Sequence, residues 1–147
     1  MENIFTDEYF MKKALQEAQT AFEKDEIPVG AVIVINDKVI ARTHNLTELL
    51  HDVTAHAEMQ AITSAANFLG GKYLMGCTLY VTLEPCQMCA GALYWSQISK
   101  IVFGASDEHR GYRAMGTKLH PKTQVVHGIL AEECGMLVKE FFSKKRG

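Results

Sequence analysis

The side chains with the chemistry to make a reactive centre fall in two short stretches, His56-Ala57-Glu58 and Pro85-Cys86-Gln87-Met88-Cys89. Cys86 and Cys89 are three positions apart, so on a helix their sulfurs share one face. Pro85 suits the first helical position, where its missing N–H costs nothing. Both thiols then sit at the positive end of that helix, which favours the thiolate that a metal needs. Taken alone, such a pair is compatible with a redox couple, half of a structural zinc site, or two core cysteines. His56 adds an imidazole and brings the ligand count to three. Structural zinc sites usually close with four protein ligands, whereas catalytic ones keep a position for water. Cys77 begins a strand and Cys134 falls on the apolar face of the last helix, so both read as core residues rather than a fourth ligand.

Glu58 separates a catalytic centre from a structural one. Side chains two apart on a helix do not face each other. His56 and Glu58 therefore share a site only if the metal lies off the first turn, and a helix start near Thr54–Ala55 places it there. The capping-box alternative pairs Thr54 with Ala57 and leaves Glu58 one place late. Zinc lowers the pKa of a bound water from ~15.7 to about 7. Glu58 is then suited to take that proton and pass it to a leaving amine.

The elements that must position these groups follow from the pattern. Phe10, Ala14, Ala18 and Phe22, widened by Met11 and Leu15, predict a helix from Thr6 to about Phe22. Asp7 and Glu8 suit its N-terminus. Val29–Ile35, the turn Asn36-Asp37 and Val39–Thr43 read as a β-hairpin. A polar loop over 44–53 leads to an alanine-rich helix, Ala55–Leu69, stopped by Gly70-Gly71. Cys77–Leu83 reads as a buried strand, Pro85 to about Trp95 as a helix, and Ile98–Gly104 as a strand. A loop-rich stretch, 105–123, precedes a short strand Gln124–His127 and a helix Glu132–Phe142. A hairpin followed by alternating helices and strands predicts a mixed sheet with helices on both sides.

Length and composition bound the class. The chain has 147 residues, 48% apolar and 22% charged. That is one domain, 1–147, large enough to bury a core without disulfides. Disordered, collagen-like and membrane-bundle classes are excluded. No basic leader and no apolar run of spanning length is present, so the expected location is cytoplasmic, with thiols rather than disulfides. The net charge of −2 hides an asymmetry. Residues 1–99 carry six Lys and Arg against twelve Asp and Glu, whereas residues 100–147 carry nine against five. A basic last third sits on an acidic body. It reads as a solvated face, or as a nucleic-acid footprint if the chemistry points the same way.

H-x-E followed by P-C-x-x-C is a signature of zinc nucleobase deaminases. With IPVGAV (27–32), Asn45, TAHAEMQAI (54–62), VTLEPCQMCAGAL (81–93), VFGASD (102–107), GILAEEC (128–134) and the FF–basic end, most of the chain resembles the bacterial tRNA-specific adenosine deaminases, within the cytidine-deaminase-like superfamily. The resemblance implies an α/β fold, a three-layer α/β/α sandwich around a mixed five-stranded sheet, and a homodimer. It implies one zinc ion per subunit on His56, Cys86 and Cys89, with Glu58 as proton shuttle. It implies hydrolysis of adenosine to inosine at the wobble position of a tRNA anticodon. Asn45 would hydrogen-bond the extruded purine, and backbone groups near Ala57 and Glu84 would help seat it. Asp107 would stand at the mouth of the substrate strand. Phe141, Phe142, Lys144, Lys145 and Arg146 would meet the anticodon loop, although Phe141 taken by itself reads as a core residue rather than a base platform. The bland readings are a turn residue for Asn45, an anion at a helix N-terminus for Glu84 and a turn cap for Asp107. The chain departs from the family in Val53, where proline is usual, and in the shorter, more basic stretch 108–122.

Three functions follow from these residues. The first is the tRNA adenosine deaminase. The second is a deaminase of a free base or nucleoside, of the guanine, cytosine or cytidine type, which has no use for a basic strand-binding end. The third is a structural-zinc RNA-binding module, for which Glu58 would be dispensable.

Overall fold

The computed structural model describes residues 3–147. In chain order they form helix α1 (Asp7–Glu23), strands β1 (Gly30–Ile35) and β2 (Lys38–His44), helix α2 (Ala57–Leu69), strand β3 (Thr78–Leu83), helix α3 (Gln87–Ser96), strands β4 (Lys100–Ala105) and β5 (Gln124–His127), and helix α4 (Ala131–Arg146). The strands make one sheet in the order β2-β1-β3-β4-β5. β1 runs antiparallel to both β2 and β3, while β4 runs parallel to β3 and β5. The expected mixed five-stranded sheet is therefore present.

Alternation along β1 explains the layers. Side chains on a strand point to opposite faces in turn. Ala31 and Ile33 face one side and join Ala57, Ala61 and Ala65 of α2 and Ala90 and Leu93 of α3. Val32 and Val34 face the other and join Phe10, Met11 and Ala14 of α1 and Cys134 of α4. Every residue from Gly30 to Val34 is buried, as a strand covered on both faces requires.

Local chemistry sets the boundaries. The Thr6 hydroxyl accepts the Tyr9 N–H at 3.1 Å and caps α1, worth about 1 kcal/mol. Asn36 and Asp37 both take positive φ, the conformation of a tight hairpin turn. At Gly30 a Cβ would collide with the Ala14 carbonyl and Ala18 amide, so only glycine lets α1 lie this close to β1.

Four expectations are corrected. α2 begins at Ala57 with His56 as its N-cap, not near Thr54–Ala55. Asp52 captures Thr54 first, accepting its N–H at 2.8 Å and its hydroxyl at 2.7 Å, so that stretch is a turn. α3 begins at Gln87 with Cys86 as N-cap, so Pro85 precedes the helix rather than opening it. β4 starts at Lys100 rather than Ile98. α4 continues to Arg146, so the basic tail is its last turn, where cations oppose the negative helix end.

These connections converge at one edge. β3 and β4 are parallel, so Glu84 and Ser106 leave the sheet side by side. The start of β1 lies beside the end of β3, with the Gly30 N–H donating to the Thr82 hydroxyl at 3.1 Å. β2 is antiparallel to β1 and ends there too, delivering Asn45 and then His56. Ligand sites in such sheets lie beyond the carboxyl ends of the parallel strands.

Candidate active site

His56 and Cys86 are each the N-cap residue of a helix, α2 and α3, and Cys89 lies in the first turn of α3. The His56 Nδ1 atom is 3.6 Å from Cys86 Sγ and 3.5 Å from Cys89 Sγ. All three ligand atoms lie within 4.8 Å of one another. Two helix N-termini thus point their positive ends at one spot, which favours anionic sulfur there. Hydrogen bonding from Cys89 and the nearby His56 drop the Cys86 thiol to about 4, and the resulting thiolate pushes Cys89 up and raises His56. Cys86 is therefore a ready thiolate at neutral pH.

The donor set fits zinc. Two thiols and one imidazole are its preferred partners, and three of them leave a coordination position open. The other two cysteines do not close it. Cys77 is packed in the core between the sheet and α2, and Cys134 lies on the opposite face of the sheet. His56, Cys86 and Cys89 form the one such group of ligating side chains found among the described residues.

Glu58 is the second residue of α2 and is only 4% exposed. Burial raises its carboxyl to about 7 and the Cys86 thiolate adds to that, against the pull of its own N–H and of His56. A carboxyl that titrates near neutrality can both accept and donate a proton, the property a proton carrier needs.

Asn45 is buried at the same edge. Its N–H donates to the Val29 carbonyl at 3.1 Å and its side-chain amide to Thr47 Oγ1 at 3.3 Å. Ala57 is the first residue of α2, so its N–H has no partner within the helix, while its carbonyl accepts the Thr43 hydroxyl at 2.7 Å. Glu84 behaves differently from a loose anion at a helix end. Its N–H donates to Ala105, and its buried carboxylate binds the loop after β4. Arg113 holds that carboxylate below the usual range, against the cost of burial. Asp107 caps a turn, its Oδ1 accepting the His109 N–H at 3.1 Å and the Arg110 N–H at 2.9 Å.

The four tail residues do not act as one surface. Phe142 and Lys145 line a groove of about 730 Å³ with Lys24, Leu49 and His51. Lys144 turns instead over the Phe22 ring, 5.2 Å from its centre. Lys145 is paired with Asp25 at 2.6 Å, and Arg146 is exposed in the last turn. Phe141 is buried against Phe22, as expected of a core residue.

Two acids and one arginine carry more of the site's architecture than their sequence context suggested. Glu26, 1% exposed, accepts the Glu48 and Leu49 N–H groups at 3.0 and 2.8 Å and so fastens the loop after Asn45. Its one signal was an acid set against the apolar run Ile27–Val29. Arg113 and Glu84 are 29 positions apart, with no local pattern linking them.

Comparison with known proteins agrees with this geometry. Residues 5–105 match the cytidine and deoxycytidylate deaminase zinc-binding region. The chain is 48% identical to a tRNA-specific adenosine deaminase of Bacillus subtilis, over 95% of this chain and 91% of that one. It is 47% identical to the Aquifex aeolicus protein of the same description, over 95% of each. A solved structure from work on A-to-I editing by tRNA:A34 deaminases at the wobble position of transfer RNA superposes with a TM-score of 0.81. It shares 42% identity and covers 88% of this chain and 98% of that one.

Proposed function

The chain belongs to the zinc-binding cytidine and deoxycytidylate deaminase family, among the tRNA-specific adenosine deaminases, and on that footing we propose that it converts adenosine to inosine at the wobble position of a tRNA anticodon. It is a zinc enzyme of the hydrolase class. The observation that carries the reading is the buried Glu58 carboxyl beside the His56–Cys86–Cys89 cluster. The free-base alternative is not favoured, since the relatives sharing nearly half their residues over the whole chain act on tRNA by name. A purely structural zinc module has no use for a carboxyl buried and poised near neutrality.

His56, Cys86 and Cys89 would hold the zinc, which supplies Lewis acidity to the attacking water. The base must leave its stack to reach the pocket. Asn45 and the free N–H at Ala57 offer hydrogen bonds to its edge. Glu58 takes a proton from the water as the C6–O bond forms. It returns a proton to the exocyclic nitrogen as the C6–N bond breaks and ammonia departs. In this reading the Glu84 backbone helps seat the base and Asp107 meets the incoming strand. Phe142, Lys144, Lys145 and Arg146 are the groups for stacking and phosphate contact with the anticodon loop.

One domain, 1–147, carries all of this in our reading, acting in the cytoplasm as a homodimer. Exposed apolar side chains support the dimer. Leu49, Leu50 and Val53 in the β2–α2 loop and Trp95 on α3 are all solvent-facing, Val53 84% and Trp95 76%. Among the described residues no helix is long and apolar enough to cross a membrane. The test is incubation of zinc-loaded protein with an unmodified anticodon stem-loop. Inosine at the wobble position is the expected product, and unchanged adenosine would sink the reading.

A further inference from the structure

The loop after β4 is fastened to the metal centre by one carboxylate. Glu84, whose side chain is 2% exposed, accepts four hydrogen bonds. Asp107 N–H donates to Oε1 at 3.0 Å, and Arg113 N–H donates to Oε2 at 3.2 Å. Arg113 Nε reaches Oε2 at 3.1 Å and Nη2 reaches Oε1 at 2.9 Å, a two-point grip. An ionised carboxylate offers about four acceptor sites, and here they are filled. Both ends of the segment 107–113 thus hang on one buried group.

Between those ends the segment touches the metal ligands' own backbone. Gly111 bridges to Cys86, and the Tyr112 N–H donates to the Pro85 carbonyl at 2.8 Å. A Cβ at residue 111 would strike the Glu84 carboxylate, so glycine is required there. The Arg113 guanidinium lies 5.0 Å above the Phe103 ring and also donates to Ser106 Oγ at 2.9 Å. It borders an open depression of about 380 Å³ shared with Ser106, Asp107 and Glu108.

We propose that Arg113 is a positioning residue for substrate: by gripping Glu84 it fixes the Asp107–Gly111 segment as a wall along the site, and so sets affinity for the nucleic-acid strand rather than the proton transfer at Glu58. This rests on the anticodon reading above. The division of labour follows from the geometry. Glu58 and the three ligand side chains are carried by α2 and the start of α3, and the Arg113 side chain bonds to Glu84 and Ser106 rather than to any of them. The 107–111 segment takes its start from an N–H held by Glu84 and its end from Arg113 itself. Lysine would keep the charge but cannot reproduce the two-point grip.

The experiment compares the full-length zinc-loaded protein with Arg113→Ala and Arg113→Lys, using an anticodon stem-loop for steady-state turnover. Zinc content and amide exchange over residues 106–114 are measured alongside. Zinc stays at the wild-type level. For Arg113→Ala, KM rises about tenfold while kcat stays within about threefold. The lysine variant falls between wild type and alanine. Exchange at the Asp107 and Gly111 amides quickens by about tenfold, as local opening becomes easier. An unchanged KM in Arg113→Ala, or a fall confined to kcat, overturns the proposal. If the alanine variant does not fold, the lysine variant carries the same comparison. Failure of the wild type itself to make inosine is a separate outcome, and it removes the anticodon reading together with this one.

Discussion

His56 Nδ1 lies 3.6 Å from Cys86 Sγ because each residue is the last one before its own helix begins. An N-cap residue has extended backbone, so its side chain swings across the helix end instead of along its flank. Two such caps facing each other bring an imidazole and a thiol together across 30 residues of sequence. The same end of α2 places Glu58 two residues on, where a mid-helix spacing of two would have turned it away.

Loss of Cys86 removes the centre. Cys86→Ala leaves one thiol and one imidazole, too few to hold zinc in a three-ligand site. Zinc content falls to background and deamination drops by more than about a hundredfold, since even outer partners of metal ligands cost 10–100-fold. Metal analysis of purified protein, read beside turnover, checks this.

Glu58→Gln separates binding from chemistry. The variant keeps His56, Cys86 and Cys89, so zinc stays bound, while turnover falls by about 10²–10⁴ with the loss of the proposed proton carrier. The metal-free protein adds a pH signature. The folded carboxyl titrates at about 7 against an ordinary value of 4.5. The folded state therefore binds the proton more tightly than the unfolded one. Stability tied to that proton is full below 4.5 and is lost as pH rises through about 7. At 1.36 kcal/mol per unit the difference from Glu58→Gln approaches ~3 kcal/mol above pH 7. Denaturant titrations of the two metal-free proteins across that window read it directly.

The cluster of His56, Cys86 and Cys89 with Glu58 beside it was legible because its chemistry is local: three residue types at fixed short spacings. The sheet was legible because β-branched runs with a strong turn at Asn36-Asp37 leave little choice. Helix starts were not. Thr54 and Ala55 look like a cap and a first turn, and only the competing bonds from Asp52 to Thr54 move the start to Ala57. The basic end read as a tail because nothing in Ser143-Lys144-Lys145-Arg146 announces a helix. In the fold it simply continues α4, with Phe141 anchoring it against Phe22. Glu84 and Arg113 were invisible as a pair, since their contact is purely tertiary.

The Glu84 clamp gives an acid-side signature of opposite sign. Its folded carboxyl titrates below the ordinary 4.5, with Arg113 and two N–H groups favouring the anion. That contribution is full above pH 4.5 and is lost as pH falls through the folded value. Glu84→Gln loses about 2 kcal/mol at neutral pH, toward the low end for a broken buried pair because Arg113 is half-exposed. Its stability also falls less steeply than that of the wild type as pH drops below the ordinary carboxylate value of 4.5. Thermal unfolding at several pH values, with zinc held constant, tests both points.

The last turn of α4 makes a prediction about salt. Each phosphate neutralised on a single strand contributes about −0.7 to the slope of log affinity against log salt. Lys144 is held only over the Phe22 ring, so Lys144→Ala lowers the slope by about that amount. Lys145 begins in a different state, paired with Asp25 at 2.6 Å, with side chains 48% and 74% exposed. An exposed pair of this kind is worth at most about 1 kcal/mol, so RNA phosphate can take the lysine over. Removing the competitor should then help. Asp25→Asn strengthens binding of the anticodon stem-loop by up to about fivefold, the equivalent of ~1 kcal/mol. The slope itself stays as it was, because the number of phosphates engaged does not change. Titrations of labelled stem-loop at several salt concentrations distinguish the cases: a weakened Asp25→Asn, or a slope unmoved by Lys144→Ala, would show that this helix end does not face the strand.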